Sequence, residues 1–324
     1  MNSYAGIDVS KATLDGMLIH ADGREERFRV TNDRDGFRKL HHLLKKRVKG
    51  PLHIALEATG VYSEAVTEYL HALGYLISVV NPAQIKSYSD SQLRRFKTDA
   101  GDAALIAHFC RTQQPPAWQP LPPEVHQLQA MVRHLQALQA MRQQEANRLQ
   151  AAQDAPAVVK AIGQHLAFLD QQIDDLLSRI RQHLDQHPDL RQQRDLLVSI
   201  PGIGLLTAAR ILSELPRWAH FTSPKQVAAF AGLAPQQRQS GTSLRGKTRL
   251  SKRGSGRLRH ALYMPALVAL RHNPTLAAFA QRLRANGLPQ LAVIAAVMRK
   301  LLLLAFAILK SGRPFEPHFV ALPS

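Results

Sequence analysis

A chain of 324 residues is long enough to bury two ordinary cores, or one core and an extended helical arm, so more than one domain is expected. Its 42 Lys+Arg against 24 Asp+Glu give a net charge of +18, which favours a polyanionic partner. The single Cys110 excludes an intrachain disulfide framework and a multi-cysteine zinc site, and fits a reducing cytoplasm, where the protein is expected to stay.

Charge is unevenly spread. Residues 1–116 carry 16 basic and 13 acidic side chains, residues 117–190 carry 6 and 8, and residues 191–324 carry 20 and 3. Nearly all the excess lies in the last third. The first twenty residues hold Asp8, Lys11 and Asp15 without an apolar run, so no secretory signal is read there.

In chain order, Ala5–Val9, Leu14–Ile19 and Arg27–Thr31 read as three strands of a meander, the second and third joined by the turn at Ala21-Asp22-Gly23. A helix over Asp33–Lys46, the apolar strand Leu52–Leu56, a helix near Ser63–Leu73 and the strand Leu76–Val80 follow. This alternation predicts an α/β layer with Asp8 inside the first strand and Glu57 at the end of a later one. Asp99 and Asp102, three apart, fall in the first turn of a helix that Thr98 would cap and that runs to Arg111. Four carboxylates in one pocket would repel each other, and a divalent cation removes the conflict, hard oxygen donors suiting Mg²⁺ or Mn²⁺. Two such ions clamp the attacking and leaving oxygens of a phosphodiester. Asp8, Glu57, Asp99 and Asp102 are therefore the candidate metal-binding and catalytic acids.

The proline-rich stretch Pro115–Pro123 reads as a stiff linker. Beyond it, Val158, Ile162, Leu166, Leu169, Ile173, Leu176, Ile180 and Leu184 recur at steps of three or four. Two long helices broken near Asp154-Ala155-Pro156 are expected to pair antiparallel, either as a bundle core or as an arm for oligomerisation or RNA contact. After His187-Pro188, the run Leu196–Ala209 reads helix, Pro201-Gly202-Ile203-Gly204 turn, helix. This is a helix-hairpin-helix pattern, whose glycines let phosphate approach free N–H groups; a tight turn between packed helices would use the same residues.

Between Gly232 and His260, Arg245, Lys247, Arg249, Lys252, Arg253, Arg257 and Arg259 crowd together without an acid, the pattern of a phosphate-gripping loop. Ser240, beside Gly241, stands among them. Surrounding arginines would stabilise both a phosphorane-like charge and a phosphoserine, although Thr242, Ser243 and Ser251 compete as nucleophiles. Tyr263 is read as a helix-packing residue beside Leu262 and Leu267. The apolar stretch Leu291–Leu309 is split by Arg299-Lys300 and reads as a buried helix; no membrane role is expected.

The ordered motifs Gly6-Ile-Asp-Val-Ser-Lys11, Glu57-Ala-Thr-Gly60 with Tyr62, Asn81-Pro82, Lys97–Ala103, Ile200–Gly204, Phe230–Pro235, Ser240–Gly246 and Arg259–Pro265 span the chain. Together they resemble the DEDD transposases of insertion sequences related to the pilin-gene inverting recombinases, a family described as bridge-RNA-guided. The resemblance implies an RNase H-like (RuvC-like) domain over 1–116, a linker and helical coiled-coil arm over 117–190, and a mainly helical, basic transposase domain over 191–324. It implies that Asp8, Glu57, Asp99 and Asp102 are the metal ligands and Ser240 the nucleophile that joins a DNA strand. It also implies donor and target DNA, a noncoding bridge RNA and a homo-oligomer, dimer or tetramer, as partners. Two competing readings are a hydrolytic, resolvase-like DNA endonuclease and a non-catalytic basic nucleic-acid-binding protein.

Overall fold

The computed structural model describes residues 2–58, 60–92, 99–152, 154–236, 239–240, 244–245, 249–251 and 254–316; of residues 61, 99, 100, 239, 240, 244, 245 and 249 it describes the backbone. Thr98, Lys247, Lys252 and Arg253 lie outside these residues. The chain divides into two compact units, Met1–Pro120 and Leu121–Ser324.

The first unit is built on a five-stranded sheet in the order β3-β2-β1-β4-β5. Strands β1 (Ser3–Val9), β2 (Thr13–Ile19) and β3 (Glu25–Thr31) form the expected antiparallel meander, and β4 (Leu52–Glu57) and β5 (Leu76–Val80) extend it in parallel from β1. Side-chain alternation gives the sheet two different faces. On one, Ile7, Leu14, Leu18, Ile54 and Leu56 pack with Phe37, Leu40 and Leu44 of α1 (Arg34–Arg47) and Val66 and Leu70 of α2 (Val61–Ala72). Asp33 starts α1 by accepting from the Gly36 N–H at 2.8 Å, a cap whose carboxyl pKa is lowered chiefly by that bond.

The opposite face carries α3 (Pro82–Ser91) and α4 (Asp99–Gln113). Helix α3 is absent from the sequence reading, because Ile85 is its one buried side chain and no apolar stripe announces it. Its start is nonetheless encoded, Asn81 accepting from the Ala83 N–H ahead of Pro82. Leu105, Ile106, Phe109 and Cys110 seat α4 over Ala55 and Tyr4, and the Cys110 thiol donates to the His53 carbonyl at 3.6 Å. Cys110 is a small core residue, its thiol pKa pushed up to about 12 by burial.

The proline-rich segment is tied to this unit. Ser78 Oγ lies 2.9 and 2.8 Å from the Pro115 and Pro116 carbonyls and 2.8 Å from His53 Nε2, and the Trp118 N–H donates to the Ile77 carbonyl at 2.6 Å. A neutral His53 donating from Nε2 to Ser78, which donates onward to a proline carbonyl, satisfies this set. Burial holds the His53 pKa below its ordinary 6.5. The folded state therefore binds fewer protons than the unfolded chain below that value, so this contribution is complete above about pH 6.5 and is lost as pH falls through the folded pKa. The denaturation midpoint of the wild-type protein is expected to drop between about pH 7.5 and about pH 5, and that drop is expected to be smaller in His53→Gln. Equal drops in the two proteins would refute this account.

The second unit is helical apart from short strands. Helices α5 (Pro123–Ala151) and α6 (Pro156–Gln186) pair within the chain, Leu128, Val132, Leu135 and Leu138 packing in one core with Leu169, Ile173, Ile180 and Leu184. The break falls at the expected Asp154-Ala155-Pro156. His183 Nε2 donates to the Glu124 carbonyl at 2.8 Å, fixing the end of α6 at the start of α5 and hence an antiparallel hairpin. Toward the turn the stripe loosens: Val158, counted in it, is exposed, as are Met141 and Phe168. Arg142 and Asp170 close an exposed ion pair between the helices.

Helices α7 (Pro188–Val198), α9 (Pro224–Phe230), α10 (Gly256–His272) and α11 (Pro274–Ala285) surround α12 (Gln290–Ser311), and α8 (Leu205–Glu214) packs on α5, α7 and α10. By length and composition α12 is apolar enough to cross a bilayer, but Val297, Leu301, Leu302 and Ala305 are fully buried among the other helices. Each such buried valine or leucine contributes about 1.5–3 kcal/mol, which makes α12 the centre of this core.

Candidate active site

Asp8 lies on β1 one step beyond the pair Ile7↔Leu56, and Glu57 ends β4 one step beyond Leu56, so the two acids occupy adjacent positions on neighbouring parallel strands. Alternation puts Asp8 on the same face as Gly6, and Gly6 lies under α4: a Cβ there would stand 2.1 Å from the Ala107 nitrogen and 2.4 Å from the Ala103 carbonyl oxygen. The later part of α4 sits over Tyr4 and His53, at the start of β1 and β4. The helix therefore runs antiparallel to β1, and its first turn, carrying Asp99 and Asp102, lies at the strand ends that carry Asp8 and Glu57. Asp8, Glu57 and Asp102 are half-buried. Among the described residues no three His, Cys, Asp or Glu side chains stand close enough to enclose a metal ion; the Asp99 side chain is not among them. The donor set is nonetheless all carboxylate oxygen, which fits Mg²⁺ or Mn²⁺ rather than zinc or copper.

Two residues on this face escape the sequence reading. Asp15 of β2 is directly opposite Asp8, and Arg29 of β3 is directly opposite Asp15. Arg29 Nε approaches Asp15 Oδ1 at 3.4 Å, and Thr13 Oγ1 donates to Asp15 Oδ2 at 3.2 Å. Strand register is a tertiary fact; no local motif links these positions.

In the second unit, the basic segment folds back on itself in two tiers. Strand β6 (Pro235–Gln236) pairs with β9 (Arg249–Leu250), and between them β7 (Gln239–Ser240) pairs with β8 (Leu244–Arg245). Ser240 thus stands opposite Leu244 in the inner tier. The segment runs directly into α10, which Ser255 caps by accepting from the Leu258 N–H at 3.1 Å. Gly254, at φ +144°, passes so close to α9 that a Cβ would lie 2.3 Å from the Phe230 carbonyl oxygen. Ser255 also donates to Glu214 at 3.4 Å, a buried carboxylate 3.9 Å from Arg133 that sequence patterning did not single out.

The cations of this segment differ in role. Arg257 is exposed on α10, whereas Arg259 turns back to donate to the carbonyls of Ala231 at 2.9 Å and Gly254 at 3.3 Å. Arg259 therefore braces the segment's exit. At the turn before α8, Gly202 has φ +106° and faces α10, where a Cβ would be 2.7 Å from Ala269 Cβ; internal packing already requires that glycine. Gly204 is exposed at the start of α8, with open space beside it. Tyr263, expected to pack beside Leu262 and Leu267, is instead exposed, because the buried stripe of α10 runs through Leu258, Ala261, Leu262, Pro265, Ala266 and Ala269.

Comparison with known proteins identifies the family. Residues 5–155 match the family DEDD_Tnp_IS110, described as transposase, and residues 194–281 match the transposase IS116/IS110/IS902 family. The chain is 32% identical to the pilin gene-inverting protein of Moraxella bovis over 97% of its own length and 98% of the relative's, with the same figures for that of Moraxella lacunata. It is 26% identical to the transposase for insertion sequence element IS1328 of Yersinia enterocolitica, over 67% of this chain and 71% of that one. An RNase H-like first unit, a helical second unit and similarity along nearly the whole chain lead to one conclusion: this protein belongs to the IS110 family of DEDD transposases.

Proposed function

We propose that this transposase is an RNA-guided, site-specific recombinase that moves its own insertion sequence through a serine-linked DNA intermediate. The observation that carries the reading is the convergence of β1, β4 and the first turn of α4, which supports Asp8, Glu57, Asp99 and Asp102 as one carboxylate set. Mg²⁺ or Mn²⁺ held by these four would stabilise the charge that develops on a phosphodiester undergoing exchange. The acids of the chain supply the negative field that retains the cation, and the half-buried strand ends keep them oriented.

Ser240 is the nucleophile in this reading. Its Oγ forms a bond to phosphorus while the 3′ oxygen leaves and takes up a proton; later a DNA hydroxyl attacks the phosphoserine, restores the serine and completes the exchange. Cations of the surrounding segment, Arg245, Lys247, Arg249, Lys252, Arg253 and Arg257, grip the flanking phosphates, and Gly204 offers backbone N–H groups at the start of α8. Donor DNA, target DNA and a bridge RNA are the partners, and protomers assemble as a dimer or tetramer, in the cytoplasm.

Incubating the protein with its element's noncoding RNA, Mg²⁺ and end-labelled DNA is expected to trap a protein–DNA adduct that Ser240→Ala lacks. Adduct formed normally by that variant would reject Ser240. Cleaved product without adduct in the wild type would select the hydrolytic endonuclease, and binding with no metal-dependent chemistry would select the non-catalytic binder.

A further inference from the structure

At the level of Asp8 four of the five strands carry a charged side chain on the face covered by α4: Arg29 on β3, Asp15 on β2, Asp8 on β1 and Glu57 on β4, with Val80 of β5 beside Glu57. Glu25 confirms which face β3 presents, since it lies two pairs from Arg29 in alternation and meets His108 of α4 at 3.0 Å. Three acids in a row repel a nucleic-acid strand, and like charges directly opposite each other, as Asp8 and Asp15 are, destabilise a sheet. The fourth position reverses the sign.

Arg29 is held in a defined attitude. Its Nε faces Asp15 Oδ1 at 3.4 Å and its Nη2 donates to Thr13 Oγ1 at 3.4 Å, while Thr13 itself donates to Asp15. The Arg29 side chain is 65% exposed and that of Asp15 18%. A guanidinium has five N–H donors in a rigid fork, so the anchored edge leaves the rest directed at solvent. Asp15 is thereby neutralised on the side away from Asp8. Arg29 stands two strand spacings from Asp8, about 10 Å, which is about three nucleotides of rise along a duplex axis.

We infer that Arg29, pinned by Asp15 and Thr13, grips a backbone phosphate of the DNA strand within about three nucleotides of the phosphodiester at the carboxylates. The inference rests on the reading of Asp8, Glu57, Asp99 and Asp102 as the catalytic set. It makes Asp15 a positioning residue, not a metal ligand, because its oxygens are committed to Arg29 and Thr13. An exposed pair of this kind adds little to fold stability, so removing it isolates the effect on DNA.

The test uses the full chain with its RNA, Mg²⁺ and a DNA fragment bearing the element's end, and reads cleavage against DNA concentration, salt and Mg²⁺ separately. Arg29→Gln is expected to raise the DNA half-saturation about 5- to 20-fold and to lower the salt slope by roughly one phosphate contact, with maximal rate and Mg²⁺ half-saturation within about twofold. Arg29→Lys is expected to restore much of the salt slope but only part of the affinity, and Asp15→Asn to show a smaller rise than Arg29→Gln. An unmoved DNA half-saturation in Arg29→Gln, or an equal shift in Mg²⁺ half-saturation, would overturn the inference. If Asp8→Asn abolishes cleavage while Arg29→Gln leaves DNA half-saturation unmoved, the inference fails and the active-site reading stands. Retained cleavage in Asp8→Asn would reject both.

Discussion

Gly6→Ala is expected to cost about 1–3 kcal/mol of stability and to lower strand cleavage by about 100-fold in the fraction that remains folded. The added methyl would stand 2.1 Å from the Ala107 nitrogen, 2.4 Å from the Ala103 carbonyl oxygen and 2.8 Å from Ala107 Cα, all backbone atoms that no rotamer change can move. Helix α4 must then lift from the sheet. Ala103, Ala104, Ala107, Leu105, Ile106 and Phe109 are buried in that contact, so the displacement opens packing along the helix. The same shift would carry Asp99 and Asp102 away from Asp8 and Glu57, so that under the proposed role of these acids a substitution two residues from Asp8 reaches the chemistry. Gly163→Ala is the control. That glycine is exposed inside α6 with nothing within 4 Å of a built Cβ, so the identical change there should stabilise by up to about 1 kcal/mol. Thermal melts of both variants, with cleavage rates normalised to folded protein, check the prediction; a Gly6→Ala protein with wild-type melting and activity would show that α4 is not seated as described.

The first unit was readable because its signals are local. Alternation marked β1 to β3, a capping aspartate marked α1, and short apolar runs marked β4 and β5. Even the break between α5 and α6 was announced, by Pro156. Helix α3, with Ile85 as its one buried side chain, gave no such signal, and the rest of what stayed hidden is relational. Asp15 looks like any polar strand residue until the β1–β2 register sets it opposite Asp8, and Arg29 like any exposed cation until the β2–β3 register sets it opposite Asp15. Gly202 and Arg259 show the same limit from the other side: their residue types suit phosphate contact, yet one is required by Ala269 of α10 and the other braces the carbonyls of Ala231 and Gly254. Composition names which chemistry a residue permits, and packing decides which of its options is used. The α12 sequence makes the point for apolar residues, since the composition that would suit a bilayer is here consumed by a helical core.

Asp8→Asn is expected to reduce metal-dependent strand cleavage by at least about 1,000-fold, equivalent to about 4 kcal/mol at 1.36 kcal/mol per tenfold. The two residues are nearly isosteric, so β1 and its pairing with β2 and β4 need not change. The loss is one of charge: a divalent ion held among carboxylates depends on their summed field, and the amide offers one neutral oxygen in place of an anionic pair. Stability is expected to move in the other direction. Asp15 stands opposite Asp8 across the β1–β2 ladder and Glu57 beside it on β4, so in the absence of cation the asparagine relieves like-charge repulsion and the melting temperature should hold or rise. The two effects separate on adding metal. A site that binds cation only when folded gains about 2.7 kcal/mol at a hundredfold excess over Kd, so Mg²⁺ or Mn²⁺ should raise the wild-type melting temperature and leave Asp8→Asn nearly unmoved. Glu57→Gln and Asp102→Asn are expected to behave alike. Asp15→Asn is the discriminating case, since a carboxylate committed to Arg29 and Thr13 should retain the metal-induced shift; its loss there would mean that the cation draws on the β2 acid as well, and an undiminished shift in Asp8→Asn would remove the first strand from the metal site altogether.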